Sequence, residues 1–204
     1  EVAEALLTQL ASASFTVPES AWGLLELSKS QPERALRRLR DLKDMDSQTA
    51  MFHIALKRGG ALEALAFVDA LRPSDSSAFT PTGWNNVCAT LFSVGRFDNA
   101  VEYLNMLTHV ELEQCTHLYY QYAISCLLPM VPRDRYNSVM QQGFSSVVEN
   151  LLDSPDAERA RSVALEAAKK ALTCARNADD HLIAERCESG IRSLRLLDPT
   201  TRDE

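Results

Sequence analysis

An apolar ladder recurs three times along this chain, and it limits the fold more than any other feature. Phe97, Ala100, Val101, Leu104 and Leu107 stand at offsets 0, +3, +4, +7 and +10. Thirty-six positions earlier the same offsets hold Ala61, Ala64, Leu65, Val68 and Leu71. Twenty-nine positions earlier again they hold Pro32, Ala35, Leu36, Leu39 and Leu42. Such spacing lines side chains along one face of an α-helix. One amphipathic helix arises easily by chance. Three in register, each behind a turn signal and another helix, mark a repeated packing unit.

The turn signals agree with the ladders. Gly95, Gly59-Gly60 and Ser30-Gln31-Pro32 precede the three segments. Glycine accepts the left-handed backbone that closes a helix, and proline in a first helical turn forfeits no hydrogen bond. Preceding helices are legible too. Trp84, Val87, Cys88 and Leu91 form one stripe, opened by Thr80 as N-cap and Pro81 as first helical residue. The small Ala35, Ala64 and Ala100 let paired helices approach closely at their crossing. A single hairpin cannot bury its own apolar face, so neighbours must stack. With only 7 Gly and 8 Pro, the chain lacks the turn residues of an all-β protein. The expected class is all-α: an α-solenoid of stacked antiparallel hairpins over residues 1–128, with an irregular C-terminal helical cap over 129–197.

After Leu128 the repeat breaks at Pro129 and Pro132. Arg133 to Leu152 reads as one helix with Tyr136, Val139, Met140, Phe144, Val147, Val148 and Leu151 on its apolar side. Ser154-Pro155 opens a second, from Asp156 to about Asn177. Its stripe of Ala160, Val163, Ala164, Ala167, Ala171, Cys174 and Ala175 is small enough to require a very close neighbour. A third helix, about Asp179 to Leu196, carries Ile183, Cys187, Ile191 and Leu194. Residues 198–204 are polar and read as a disordered tail.

The run Trp84-x-x-Val87-Cys88-x-x-Leu91, followed by Gly95-x-Phe97-x-x-Ala100-x-x-x-Leu104, resembles the tetratricopeptide repeat. Cys88 departs from that family's favoured glycine, and the proline expected after the second helix is absent. The same stretch, from Trp84-Asn85-Asn86-Val87 through Gly95-Arg96-Phe97-Asp98-Asn99-Ala100-Val101-Glu102, is equally similar to a pentatricopeptide motif. Residues 82–107 carry the match, while 20–42, 47–71 and 115–128 match more loosely. In this superfamily the first helices line a concave face. The resemblance therefore implies a groove containing Asp46, Thr49, His53, Lys57, Asn85, Ala89, Ser93, Tyr119 and Ala123. Ala89 and Ala123 do not supply the carboxylate clamp by which some tetratricopeptide proteins grip chaperone tails. On the pentatricopeptide alternative Asn86 takes the first base-reading position and Thr116 the second, an unusual pair. Ala50 at the neighbouring position cannot read a base.

Other clusters have plainer readings. Arg34, Arg37 and Arg38, with Arg40 and Lys43, form a basic patch suited to phosphate or to an acidic partner. They equally form a solvated helix face balanced by Asp41, Asp44 and Asp46. Tyr119, Tyr120 and Tyr122 cannot all point inward, since adjacent helical residues diverge by about 100°. One of them is expected at the surface as a contact anchor. His109, Cys115 and His117 fall in a connection and at a helix start, without a fourth ligand at zinc spacing. No nucleophile motif, phosphate-cradling glycine loop or metalloprotease motif occurs. No enzyme activity, metal, cofactor or small-molecule substrate is expected.

These features favour a protein-interaction scaffold, a subunit of a larger assembly that binds a protein or peptide in its groove. Its candidate contacts are Thr49, His53, Lys57, Asn85, Asn86, Ser93 and Tyr119. The alternative is a pentatricopeptide-type RNA-binding protein of organellar RNA metabolism, which the net charge of −7 disfavours. No apolar run reaches the roughly 18 residues of a membrane span. No basic-then-apolar leader opens the chain, and residues 1–10 read as helix, as in a mature form or a fragment of something longer. Five scattered cysteines without a C-x-x-C pair suit buried thiols in a reducing compartment, cytoplasmic or mitochondrial matrix.

Overall fold

In a computed structural model of the 204-residue chain, the described residues are 2–13, 16–144, 146 and 157–196. Among them all regular structure is helical, and no strand occurs. The chain divides into two compact units, Glu1–Gly83 and Trp84–Glu204. The division falls inside the expected repeat array.

The first unit begins with α1 (Val2–Ser12) and α2 (Glu19–Ser28). It continues with α3 (Pro32–Leu39) and α4 (Met45–Leu71). A single turn of 3₁₀ helix at Ser76–Ala78 follows. Helix α4 is two helices joined at Gly60, whose φ of 67° and ψ of −158° interrupt it. Its start is fixed by Asp44, which accepts hydrogen bonds from the Ser47 amide at 3.0 Å and the Ser47 hydroxyl at 2.7 Å. Helix α5 (Pro81–Ser93) contains the division between units. The second unit goes on through α6 (Phe97–Met106), α7 (His109–Glu113), α8 (Thr116–Ser125) and α9 (Tyr136–Gln142). It ends with α10 (Ala157–Asn177) and α11 (His181–Leu196).

The three ladders fall along α3, the second half of α4 and α6. In each, the turn before the second helix holds a residue of positive φ: Ser30 at 58°, Gly60 at 67° and Gly95 at 78°. In each, the +3 and +7 slots are buried. Ala35, Leu39, Ala64, Ala100 and Leu104 are 0% exposed, and Val68 is 1% exposed. Helix α3 shares a core with the first half of α4, in which Ala35 and Leu39 meet Ala50 and Ile54. Gly23 of α2 lies so close to Leu39 that a β-carbon there would collide with the Leu39 side chain. In the same unit Phe79 meets Phe52 and Phe67 edge-on, with ring centroids 6.2 and 6.5 Å away. In the second unit Trp84 of α5 packs on Tyr103 of α6 at 5.3 Å.

The C-terminal part corrects two expectations. Arg133 to Leu152 is not one helix. Arg133–Arg135 forms a 3₁₀ turn, and α9 stops at Gln142 because Gly143 takes a φ of 70°. A β-carbon on Gly143 would also meet the Tyr120 hydroxyl at 2.5 Å. The expected continuation through Val147, Val148 and Leu151, the opening at Ser154-Pro155-Asp156 and the tail at 198–204 lie outside the described residues. Helix α10 buries Ala164, Ala167, Ala168, Ala171 and Ala175, whereas Val163 is exposed. The close neighbours that this alanine face requires are α8 and α11. On α11, Ile183, Cys187, Ile191 and Leu194 are all buried. Among the described residues no helix is long and apolar enough to cross a membrane.

Candidate functional site

In the first unit the structure gives the expected groove residues three different situations. Thr49 is buried. Its hydroxyl accepts from the Thr80 amide at 3.0 Å and pairs with the Thr80 hydroxyl at 3.1 Å. Thr80 in turn accepts from the Gly83 amide at 3.1 Å, as an N-cap should. Thr49 thus holds the start of α5 and is not a surface contact. His53 is half-buried. Burial, and then the Lys57 ammonium, hold its imidazole below the ordinary histidine range. Lys57 is exposed.

In the second unit Tyr119 is also corrected. It is fully buried, its hydroxyl bonds to His109 Nδ1 at 2.8 Å, and its ring stacks on the His109 imidazole at 6.0 Å. Of the three tyrosines, Tyr122 is the one left partly accessible. Helix geometry required that one differ, but the sequence alone did not say which.

Ser93 lies on a cleft of about 310 Å³, together with Ala89 and Phe92 of α5. Gln121 of α8 and Asn137, Met140 and Gln141 of α9 complete it. The three α9 contributors share one helix face by their spacing of three and four. Asn85 supports this cleft from behind. The Gln121 amide donates to Asn85 Oδ1 at 2.8 Å and to the Asn85 carbonyl at 3.3 Å. Asn86 accepts from Asn85 Nδ2 at 3.3 Å, and its carbonyl accepts from the Thr90 hydroxyl at 2.7 Å. Gln121 Oε1 is buried and accepts no hydrogen bond among the described residues. A buried carbonyl oxygen left so is costly unless a donor reaches it.

The chemistry of the cleft follows from its walls. Ser93, Gln121, Asn137 and Gln141 offer neutral donors and acceptors, while Phe92 and Met140 offer apolar surface. No charged side chain lines it. That combination sets neutral hydrogen-bonding groups beside apolar surface, with no cation among them. Gln121, Asn137 and Gln141 were not singled out from sequence, because polar residues on an amphipathic helix look like a solvated face.

A larger groove of about 720 Å³ lies in the first unit, lined among others by Arg40, Lys43, Arg72, Asp41 and Asp75. Its charges are mixed, so they largely offset one another. Gln48 lines it as well. The Gln48 amide donates to the Leu42 carbonyl, and its Oε1 is buried without a partner among the described residues.

The basic patch is engaged with its own neighbourhood. Arg38 pairs with Glu19 at 2.8 Å, Arg34 donates to Gln31 Oε1 at 3.1 Å, and Arg37 donates to the Glu33 carbonyl at 3.3 Å. Glu19 balances Arg38, and Asp41 balances Arg40 as expected. Of the three aspartates expected to balance the patch, Asp44 caps α4 and Asp41 pairs with Arg40. Exposed pairs of this kind add little stability but do lower the local field.

The thiols are all free. Burial raises the Cys88 thiol strongly and pushes Cys187 up to about 12, so both are protonated at neutral pH. No group of three or more potential metal ligands occurs among the described residues. His109 is instead committed to Tyr119. Comparison of the chain with protein-family models, with curated proteins and with solved structures finds no match to any of them.

Proposed function

We propose that this chain is a non-enzymatic helical-repeat scaffold of the tetratricopeptide or pentatricopeptide kind, and that it binds an extended segment of a partner protein. The cleft beside Ser93 is the observation that carries this reading. Its neutral amide and hydroxyl groups match a polypeptide backbone, which offers one N–H and one C=O per residue. Phe92 and Met140 would take an apolar side chain. The burial of the +3 and +7 slots in all three ladders, each behind a residue of positive φ, supports the repeat reading.

The RNA alternative draws less support. Binding a nucleic-acid backbone requires lysine or arginine at the contact, and the cleft has neither. The free thiols, two of them kept protonated by burial, fit a reducing compartment.

Selection from a displayed library of random 12-residue peptides tests the proposal. Selected peptides are expected to lose about tenfold or more in affinity to Ser93→Arg and Asn137→Arg. Both residues are exposed, so both variants keep the fold. Affinity for the peptides is expected to change little between 50 and 200 mM salt. Peptides that bind both variants as tightly as the parent would refute the assignment. So would a chain that selects no peptide and binds single-stranded RNA with a steep salt dependence.

A further inference from the structure

The groove of about 720 Å³ in the first unit is assembled from separated stretches of the chain: residues 40–43, Gln48 with Met51, and residues between 67 and 78. Leu42, Met51, Phe67 and Leu71 give it an apolar lining, and all four are half-buried. Leu42 and Met51 pack against the core of Ala35, Leu39, Ala50 and Ile54. Phe67 meets the buried Phe79 edge-on. The lining is therefore held by the core beneath it. The loop beside it is held too, because the amide of the buried Gln48 donates to the Leu42 carbonyl.

The charges of the groove are not evenly matched. Three cations, Arg40, Lys43 and Arg72, line it with two acids. Both acids are engaged locally. Asp41 pairs with Arg40 at 3.3 Å, and Asp75 accepts from the Ser77 amide at 2.8 Å and from the Ser77 hydroxyl. Lys43 and Arg72 are exposed, and neither side chain has a hydrogen bond or ion pair among the described residues. Arg72 also stands where a side chain is costly. It caps α4 at φ 49° and ψ 63°, in the left-handed helical region where glycine is the usual choice. Its backbone amide does the capping, donating to the Val68 carbonyl at 3.0 Å. Nothing in that turn calls for a guanidinium.

We infer that this groove binds a small organic anion, with an apolar body against Leu42, Met51, Phe67 and Leu71 and a carboxylate or phosphate held by Lys43 and Arg72. Small-molecule sites have volumes of about 300–1,000 Å³ and pair apolar walls with a few charged groups, as this groove does. A neutral apolar molecule would leave both cations unmatched. A bare anion would leave the apolar lining in water. Helical periodicity carries no sign of such a site, because its lining comes from loops and from two halves of α4. The groove lies within the first unit and shares no residue with the cleft beside Ser93, so its test is independent of that reading.

Four probes of one shape decide the matter: 4-phenylbutanoate, 4-phenylbutyl phosphate, 4-phenylbutanol and 4-phenylbutylamine. Each is titrated into the isotopically labelled full chain and followed by NMR. At least one of the two anions is expected to bind with a Kd of about 1 mM or tighter, shifting the methyl signals of Leu42, Met51 and Leu71. The tighter of the two identifies the head group. The alcohol should bind about fivefold more weakly, and the amine should shift nothing up to about 10 mM. Lys43→Gln should weaken the anion about fivefold and leave the alcohol as it was. Arg72→Gly should weaken the anion as much while holding or raising Tm, because glycine suits the left-handed turn. The inference is overturned if neither anion moves these signals at about 10 mM, or if the alcohol binds as tightly as the anions. It is overturned as well if either variant leaves anion affinity unchanged. A fall in Tm with Arg72→Gly would assign the guanidinium to the helix end and overturn it too.

Discussion

Gln121 Nε2 donates to Asn85 Oδ1 across 2.8 Å and across 36 positions of sequence. The bond ties α8 to α5 within the second unit and fixes the amide that lines the cleft. It also gives Asn85 a structural task in place of the surface contact expected of it.

Asn85→Ala removes the better acceptor of the Gln121 amide and leaves only the 3.3 Å bond to the Asn85 carbonyl. We expect a loss of about 1 kcal/mol in urea unfolding, the ordinary net worth of such a bond. Gln121→Leu removes the donor amide together with the buried, unpartnered Oε1, so it should cost less than the single bond suggests. The two changes should be non-additive by about 0.5 kcal/mol or more in a double-mutant cycle. Additive costs would show that the bond does not carry the link.

Thr49 makes the analogous distinction in the first unit. Thr49→Val keeps the shape but leaves the Thr80 amide without its acceptor, at a position where α5 begins. A cost of about 1–3 kcal/mol is expected, from the stranded donor. Thr49→Ser keeps the hydroxyl and should cost less than half as much in the same denaturation experiment. Equal costs for the two variants would place the effect in packing and not in the hydrogen bond.

These two residues show where sequence reading stops. The ladders at Ala35, Ala64 and Ala100 were legible because burial on one helix face imposes a period that the sequence must carry. Hydrogen bonds such as Thr49 to Thr80 or Gln121 to Asn85 join residues 31 and 36 apart. No period encodes such pairs. The stripe on α10 was harder for another reason. The alanines of α10 share one face, and apolarity alone does not fix its edges: the expected stripe takes in Val163, which is exposed, and leaves out Ala168, which is buried. The break after α9 was written in Gly143, but one glycine in a helical pattern is also tolerated inside a helix. Tyr119 was unresolvable because its partner, His109, lies on a separate short helix and gives no signal at helical spacing.

The break at Gly60 can be tested directly. A φ of 67° with a ψ of −158° belongs to a region that residues with a β-carbon scarcely enter. A β-carbon there would have no atom within 4 Å, so crowding plays no part. Gly60→Ala is expected to cost about 1–3 kcal/mol from backbone strain alone. Gly60→Asn should not rescue it, because asparagine tolerates the left-handed helical region and not this one. A neutral Gly60→Ala in thermal unfolding would mean that α4 can straighten through the turn. The second ladder would then lose its separation from the first helix of its own hairpin.

His53 supplies a pH dependence whose sign can be worked out. Burial first, and the Lys57 charge second, hold its folded-state pKa below the unfolded value of about 6.5. The folded protein therefore binds fewer protons at this site than the unfolded chain does. Stability must fall as pH drops through the unfolded value, and the loss is complete once pH lies below the folded one. Above pH 7.5 both states hold His53 neutral and the site contributes no slope. His53→Gln should flatten the fall in urea midpoint between pH 7.5 and 5 without changing the midpoint at pH 7.5 by more than the substitution itself costs. Lys57→Ala removes the smaller of the two causes and should flatten it only in part. If His53→Gln leaves the slope as it was, the acid sensitivity of the first unit resides elsewhere. The half-buried imidazole would then be solvated well enough to titrate as it does in the unfolded chain.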